Sequence, residues 1–114
     1  MEKIKPLLPT LKEKKRYVVY EVITTSCKKS DYSREILNNC KRFLGVLESA
    51  KAGIMHVLFN KEKQRGVVRV SSKYMNKLKL SLMFIKQLDE EDALIKSIGV
   101  SGTLRKAKEK YVAG

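Results

Sequence analysis

The chain predicts an α+β sandwich: a four-stranded antiparallel sheet, two helices on one face, and an extra helix at the C-terminus. Three observations carry that prediction. Four runs rich in β-branched and aromatic residues are spaced along the sequence. Two stretches with apolar residues at helical intervals separate the first run from the second and the third from the fourth. Each stretch shows a single apolar stripe, as an element covering one sheet face must.

Taken in order, residues 1–15 read as a basic arm ahead of one domain spanning 16–114. Pro6 and Pro9 discourage helix there, and Lys12, Lys14 and Lys15 run on into Arg16. Tyr17 to Ile23 is the clearest strand, with Val18, Tyr20 and Val22 toward the core and Tyr17, Val19 and Glu21 on the other face. Ser30 or Asp31 can cap a first helix whose stripe is Tyr32, Ile36, Leu37, Cys40, Phe43, Leu44 and Leu47. Gly45 costs about 1 kcal/mol inside a helix, so the helix ends near Leu44 or continues imperfectly toward Ala50. Ile54–Phe59 and Val67–Val70 are the second and third strands, joined by a charged loop. Ser71 or Ser72 caps a second helix with Tyr74, Met75, Leu78, Leu82 and Ile85 facing inward. Asp89-Glu90-Glu91-Asp92 is an acidic turn, and Ala93–Val100 is the fourth strand, leading into the C-terminal helix. The order β-α-β-β-α-β makes the sandwich ferredoxin-like, or RNA-recognition-type.

At 114 residues the chain is one domain by size, and 43% hydrophobic residues argue against wholesale disorder. The charge is lopsided: 25 Lys+Arg against 12 Asp+Glu, a net +13. That balance points to a polyanionic partner. A membrane is excluded as the partner, since no stretch joins a long apolar face to basic flanks. The N-terminus lacks a signal-peptide core, which points to the cytoplasm. Cys27 and Cys40 with the single His56 do not make a structural zinc site.

The basic residues form three blocks. One is the arm with Lys14, Lys15 and Arg16. A second holds Lys61, Lys63, Arg65 and Arg69, continuing through Lys73, Lys77 and Lys79, and the third holds Arg105, Lys106, Lys108 and Lys110. Three such blocks in one small domain point to nucleic acid. Between strand and helix, Ser101-Gly102-Thr103 offers a helix start that could cap the helix, bind phosphate, or do both.

The run matching the third-strand signature of an RNA-recognition motif, Arg65 to Ser71, begins Arg-Gly as that signature does, but it lacks both stacking aromatics. Tyr17 could stack from the first strand, although packing is the ordinary role for such a tyrosine. The face away from the two helices should carry Val19, Ile54, Leu58, Val67 and Ile98 beside Arg69, Lys96 and His56. It is too apolar to leave wet, so the C-terminal helix should cover part through Leu104, Ala107 and Tyr111, and a partner protein the rest. For catalysis the sequence offers little: no nucleophile with a base, no metal-ligand spacing, and one histidine embedded in an apolar strand.

Three segments carry a resemblance: Leu8-Pro9-Thr10-Leu11-Lys12-Glu13-Lys14-Lys15-Arg16-Tyr17, Gly66-Val67-Val68-Arg69-Val70, and Ile98-Gly99-Val100-Ser101-Gly102-Thr103 with its basic helix. Together they resemble the archaeal ribonuclease P protein component 2 family, whose eukaryotic counterpart is the smaller Pop/Rpp subunit of the ribonuclease P and MRP particles. The resemblance implies a non-catalytic subunit of a ribonucleoprotein endonuclease, a hydrolase whose active site lies in the RNA. That RNA removes the 5′ leader from precursor tRNA using Mg²⁺, and no cofactor is implied for this chain. The implied partners are the ribonuclease P RNA and protein component 3, with two component 2–component 3 pairs associating through component 2. Without the resemblance, a free-standing RNA-binding or ribosomal protein remains open, as does a small ferredoxin-like enzyme.

Overall fold

The computed structural model describes residues 14–25 and 30–112. Most of the expected arm, residues 1–13, therefore lies outside the described residues. The chain runs β1 (Lys15–Thr24), α1 (Ser33–Leu44), α2 (Val46–Ala52), β2 (Met55–Asn60), β3 (Arg65–Ser71), α3 (Met75–Met83), β4 (Gln87–Leu88), β5 (Glu91–Ser101) and α4 (Leu104–Ala107). A single 3₁₀ turn leads into α3, and a π-helical turn, Lys108–Val112, follows α4.

The sheet has five strands rather than the four expected, in the order β2-β3-β1-β5-β4, with every neighbouring pair antiparallel. The extra strand is β4, two residues at the edge. It pairs with the start of β5 around Asp89 and Glu90, both at positive φ (54° and 65°). Only Asp89 and Glu90 turn; Glu91 and Asp92 already belong to β5. Non-glycine residues resist this conformation, and usually such a hairpin carries Asn-Gly or Asp-Gly. Here a tertiary contact offsets the cost: the Asp89 N–H donates to the Glu35 carboxylate of α1, at 2.9 Å to Oε2.

Gly45 divides the first helical stretch. Its φ of 90° ends α1, and α2 restarts at once in a new direction. Ile36 and Cys40 of the expected stripe are buried, with Tyr32 just ahead of the helix. Phe43, near the end of α1, and Leu47, beyond the break on α2, are exposed (46% and 75%). Asp31 accepts the Ser33 N–H at 2.9 Å, and the Ser33 hydroxyl, with this N–H second, holds its carboxyl below the usual carboxylate range.

Alternation along the strands divides the interior in two. On the helix side, Val18, Tyr20, Val22, Val68, Val70 and Ile95 pack against Ile36, Cys40, Leu78 and Leu82. On the opposite side, Val19 and Val67 pack against Ala107, with Tyr17, Leu58, Ile98, Leu104 and Tyr111 around them. Burying a valine side chain fully is worth about 1.5–3 kcal/mol, so covering Val19 and Val67 is a substantial reason for the C-terminal segment to dock. A bulge in β2 between His56 and Leu58 brings Val57 and Leu58 together toward that second cluster.

Two expected placements change. Ile54 packs with the helix-side core rather than on the opposite face. His56 pairs with Val68 across the ladder and shares its helix-side face, where Nε2 lies 2.6 Å from the Tyr20 hydroxyl. Burial lowers the His56 pKa, which favours the neutral ring, and the Tyr20 hydroxyl and Nε2 share one hydrogen bond whose direction follows the tautomer.

Candidate nucleic-acid interface

The C-terminal segment is a strap across the sheet. Thr103 is the N-cap of α4, its Oγ1 accepting the Lys106 N–H at 3.2 Å, while Ser101 Oγ accepts the Thr103 N–H at 3.3 Å. Of the readings open for Ser101-Gly102-Thr103, capping is thus what these hydroxyls do within the chain. The strap then runs over β1 and β5 until Tyr111 lies on Gly99. A Cβ at position 99 would collide with the Tyr111 ring, so glycine there provides the seat. Arg65 pins the far end: its Nη1 donates to the Tyr111 carbonyl at 2.7 Å and its Nε lies 3.5 Å from Glu21 Oε2.

The partner-facing set expected from sequence is largely used up by this arrangement. Val19 and Val67 are fully buried under the strap, and Leu58 and Ile98 are half-buried around it. Exposed apolar side chains lie on the strands at Ile23, Met55 and Leu94, and in greater number on and beside the helices. Phe43 stacks on Phe84, centroids 5.0 Å apart, and Val46, Leu47, Leu80 and Met83 stand exposed on the same helices. Lys77 of α3 meets Glu48 of α2 at 2.7 Å, so two cross-helix contacts bracket Leu47 and Leu80. Sequence reasoning missed this shelf; for its α2 part Gly45 was the signal, since a break there frees Val46 and Leu47 from the stripe of α1. Between α1 and α3, beside the shelf, lies a cavity of about 560 Å³ lined in part by Arg42, Phe43, Phe84 and Lys86.

The basic residues fall into two groups about the strap. At the β2–β3 turn, Lys61 and Lys63 are exposed, and Asn60 Oδ1 accepts the Lys63 N–H at 3.1 Å to shape the loop. Arg65 follows, but it is spent on Glu21 and Tyr111. At the other end of the sheet lie Lys14, Lys15 and Arg16, with Arg69 and Ser101 on adjoining strands. Arg16 Nη1 donates to the Lys15 carbonyl at 3.0 Å. Along the strap, Arg105 pairs with Glu109 at 3.3 Å, Lys106 and Lys108 are exposed, and Lys110 sits 5.8 Å from the Tyr111 ring centre. The structure thus brings Lys14, Lys15, Arg69 and Ser101 together and separates them from Lys61 and Lys63.

Among the described residues, no group of three or more His, Cys, Asp or Glu is placed to hold a metal ion. No helix among them is long and apolar enough to cross a membrane. Cys40 is a buried free thiol whose pKa burial pushes up to about 11, a packing residue rather than a nucleophile.

Comparison with known proteins agrees with this architecture. Residues 16–112 match the model of the Rpp14/Pop5 family. Ribonuclease P protein component 2 of Thermococcus gammatolerans is 35% identical over 113 residues, covering 98% of this chain and 94% of that one. The Pyrococcus furiosus protein of the same name is also 35% identical, with the same coverage. Among solved structures, a chain of yeast ribonuclease MRP superposes with a TM-score of 0.62 over 82% of this chain and 77% of its own, at 13% identity, which speaks to the fold. From residue 16 to residue 112, this chain belongs to the Rpp14/Pop5 family.

Proposed function

We propose that this chain is a non-catalytic protein subunit of a ribonuclease P-type ribonucleoprotein, supporting the RNA that removes the 5′ leader from precursor tRNA. The observation that carries the reading is the basic surface: a net +13 on a family member whose lysines are displayed at both ends of the sheet and along the strap. Catalytic chemistry, with its Mg²⁺, is assigned to the RNA. The protein's part is to neutralise phosphates where RNA helices pack, so that the RNA folds and holds Mg²⁺ at lower salt. Support for a sandwich of the RNA-recognition type comes from the order of the four long strands, β2-β3-β1-β5, with α1 and α3 on one face.

Each phosphate neutralised releases counterions, so log K should fall by about 0.7–0.9 per contact as log salt rises. Binding to ribonuclease P RNA across a KCl series checks this. Replacing Arg105, Lys106 and Lys108 together with Ala should flatten the slope while the fold stays intact. A wild-type slope near zero would contradict the electrostatic reading.

Protein component 3 is the proposed protein partner, in a cytoplasmic, archaeal-type particle built of two component 2–component 3 pairs. Exposed Phe43, Phe84, Leu47, Leu80 and Met83 suit that contact better than the strap-covered sheet face. Phe84→Ser should weaken pairing with component 3 about tenfold or more, as loss of an aromatic anchor does. Calorimetry showing unchanged affinity would place the pairing elsewhere on the chain.

A further inference from the structure

The register of the sheet sets four residues in one row on the strap side: Met55 beside Arg69, Arg69 beside Tyr17, and Tyr17 beside Ser101. The next row on the same face holds Lys15 opposite Ser71. Within this patch Arg69 stands out. Its Nε is buried without a hydrogen-bond partner, a lack it shares with the Nε of Arg65. The rest of the group sets the two apart: Arg65, four residues earlier on the same face, has Glu21 at 3.5 Å and the Tyr111 carbonyl as partners, whereas no ion pair of Arg69 is found among the described residues. A half-buried cation without an anion is costly to a folded chain and needs an explanation.

We propose that Arg69, with Lys15 and the Ser101 hydroxyl, forms an RNA phosphate site at the edge of the strap, beside the Tyr17 ring. The inference rests on the RNA-binding reading above and names where one contact falls. The chemistry suits a stretch of RNA backbone: the planar guanidinium of Arg69 donates N–H groups to a phosphate, Lys15, whose Nζ lies toward Gly53, adds charge on the β2 side, and Ser101, across β1 on β5, can donate its hydroxyl proton. Neighbouring cations favour a polyanion over a lone carboxylate. Lys14 and Lys15 stand at one border, while Arg105 and Lys106 lie just past the Thr103 cap on the other. Tyr17 supplies the aromatic surface that often sits beside a single-stranded RNA backbone.

An arginine held ready for a ligand and one that holds the fold behave oppositely when replaced. Arg69→Met keeps the apolar stem and removes the charge. The free protein should melt at the wild-type temperature or above, because an uncompensated cation is gone. Its affinity for the ribonuclease P RNA should drop about ten- to a hundredfold, the scale of charge-assisted bonds. The salt slope should shrink by about one contact, 0.7–0.9. Arg69→Lys, which keeps the charge and loses the fork, should fall between the two. A lower melting temperature for Arg69→Met would show that the guanidinium has its anion within the chain, and would overturn the proposal. So would unchanged RNA affinity and slope. Loss of binding to component 3 with RNA binding intact would assign the site to a protein carboxylate instead, and equally overturn it. A wild-type slope near zero would bring down the RNA reading itself and this inference with it, an outcome separate from a failure of Arg69 alone.

Discussion

His56 is an ionisable group carried into the interior, and its surroundings set a pH response. Burial lowers its pKa below 6.5, with Asp31 opposing the shift in part. The unfolded chain therefore binds a proton that the folded chain resists as pH falls below about 6.5, so stability should be lost in that direction. Above 6.5 both states are neutral at this residue and the contribution is constant. Between pH 7.5 and 5.5 the melting temperature should fall, and the fall should be smaller in His56→Gln. Equal pH profiles for the two proteins would show that His56 does not drive the response. The lowered Asp31 pKa acts at far more acidic pH and leaves this window to His56.

At the scale of elements, the strap decides what the sheet can do. Its helical turn is short, and only Ala107 is fully buried in it, so docking depends on the Gly99 seat, the Arg65 bond and the apolar pair Val19–Val67. Gly99→Ala should unseat Tyr111 and destabilise the fold by about 1–3 kcal/mol, the range for overpacking. Hydrogen exchange should then quicken across residues 104–111. A variant with wild-type melting and exchange would mean that the ring does not need the glycine. Much of this element was legible in the sequence. Leu104, Ala107 and Tyr111 recur at helical spacing, and the apolar face of β1 and β3 needed a cover. The edge strand β4 was not legible, because two residues show no alternation and the Asp89-Glu90 turn carries no glycine. Its conformation is held from a distance by Glu35, a contact that no local pattern announces. The exposure of Leu47 was hidden for a related reason: helical spacing shows which residues share a face, not whether a glycine ends the helix before the last of them.

For the whole molecule, net charge was the most readable property, and it bears on partners rather than on fold. Composition could not say which cations are free. Arg65 and Arg69 look alike in the sequence, four residues apart on one strand. In the structure one is a fastener and the other is unpartnered among the described residues. The division between a basic, strap-bearing side and an apolar shelf on the helices gives the molecule two surfaces, one suited to RNA and one to protein. A subunit acting this way lowers the Mg²⁺ that the RNA requires. The direct measurement is precursor-tRNA cleavage by a reconstituted particle, titrated with Mg²⁺, with and without this chain. Omission should raise the Mg²⁺ needed for half-maximal rate and slow cleavage at low Mg²⁺; an unchanged rate and an unchanged Mg²⁺ requirement would contradict the role proposed for it.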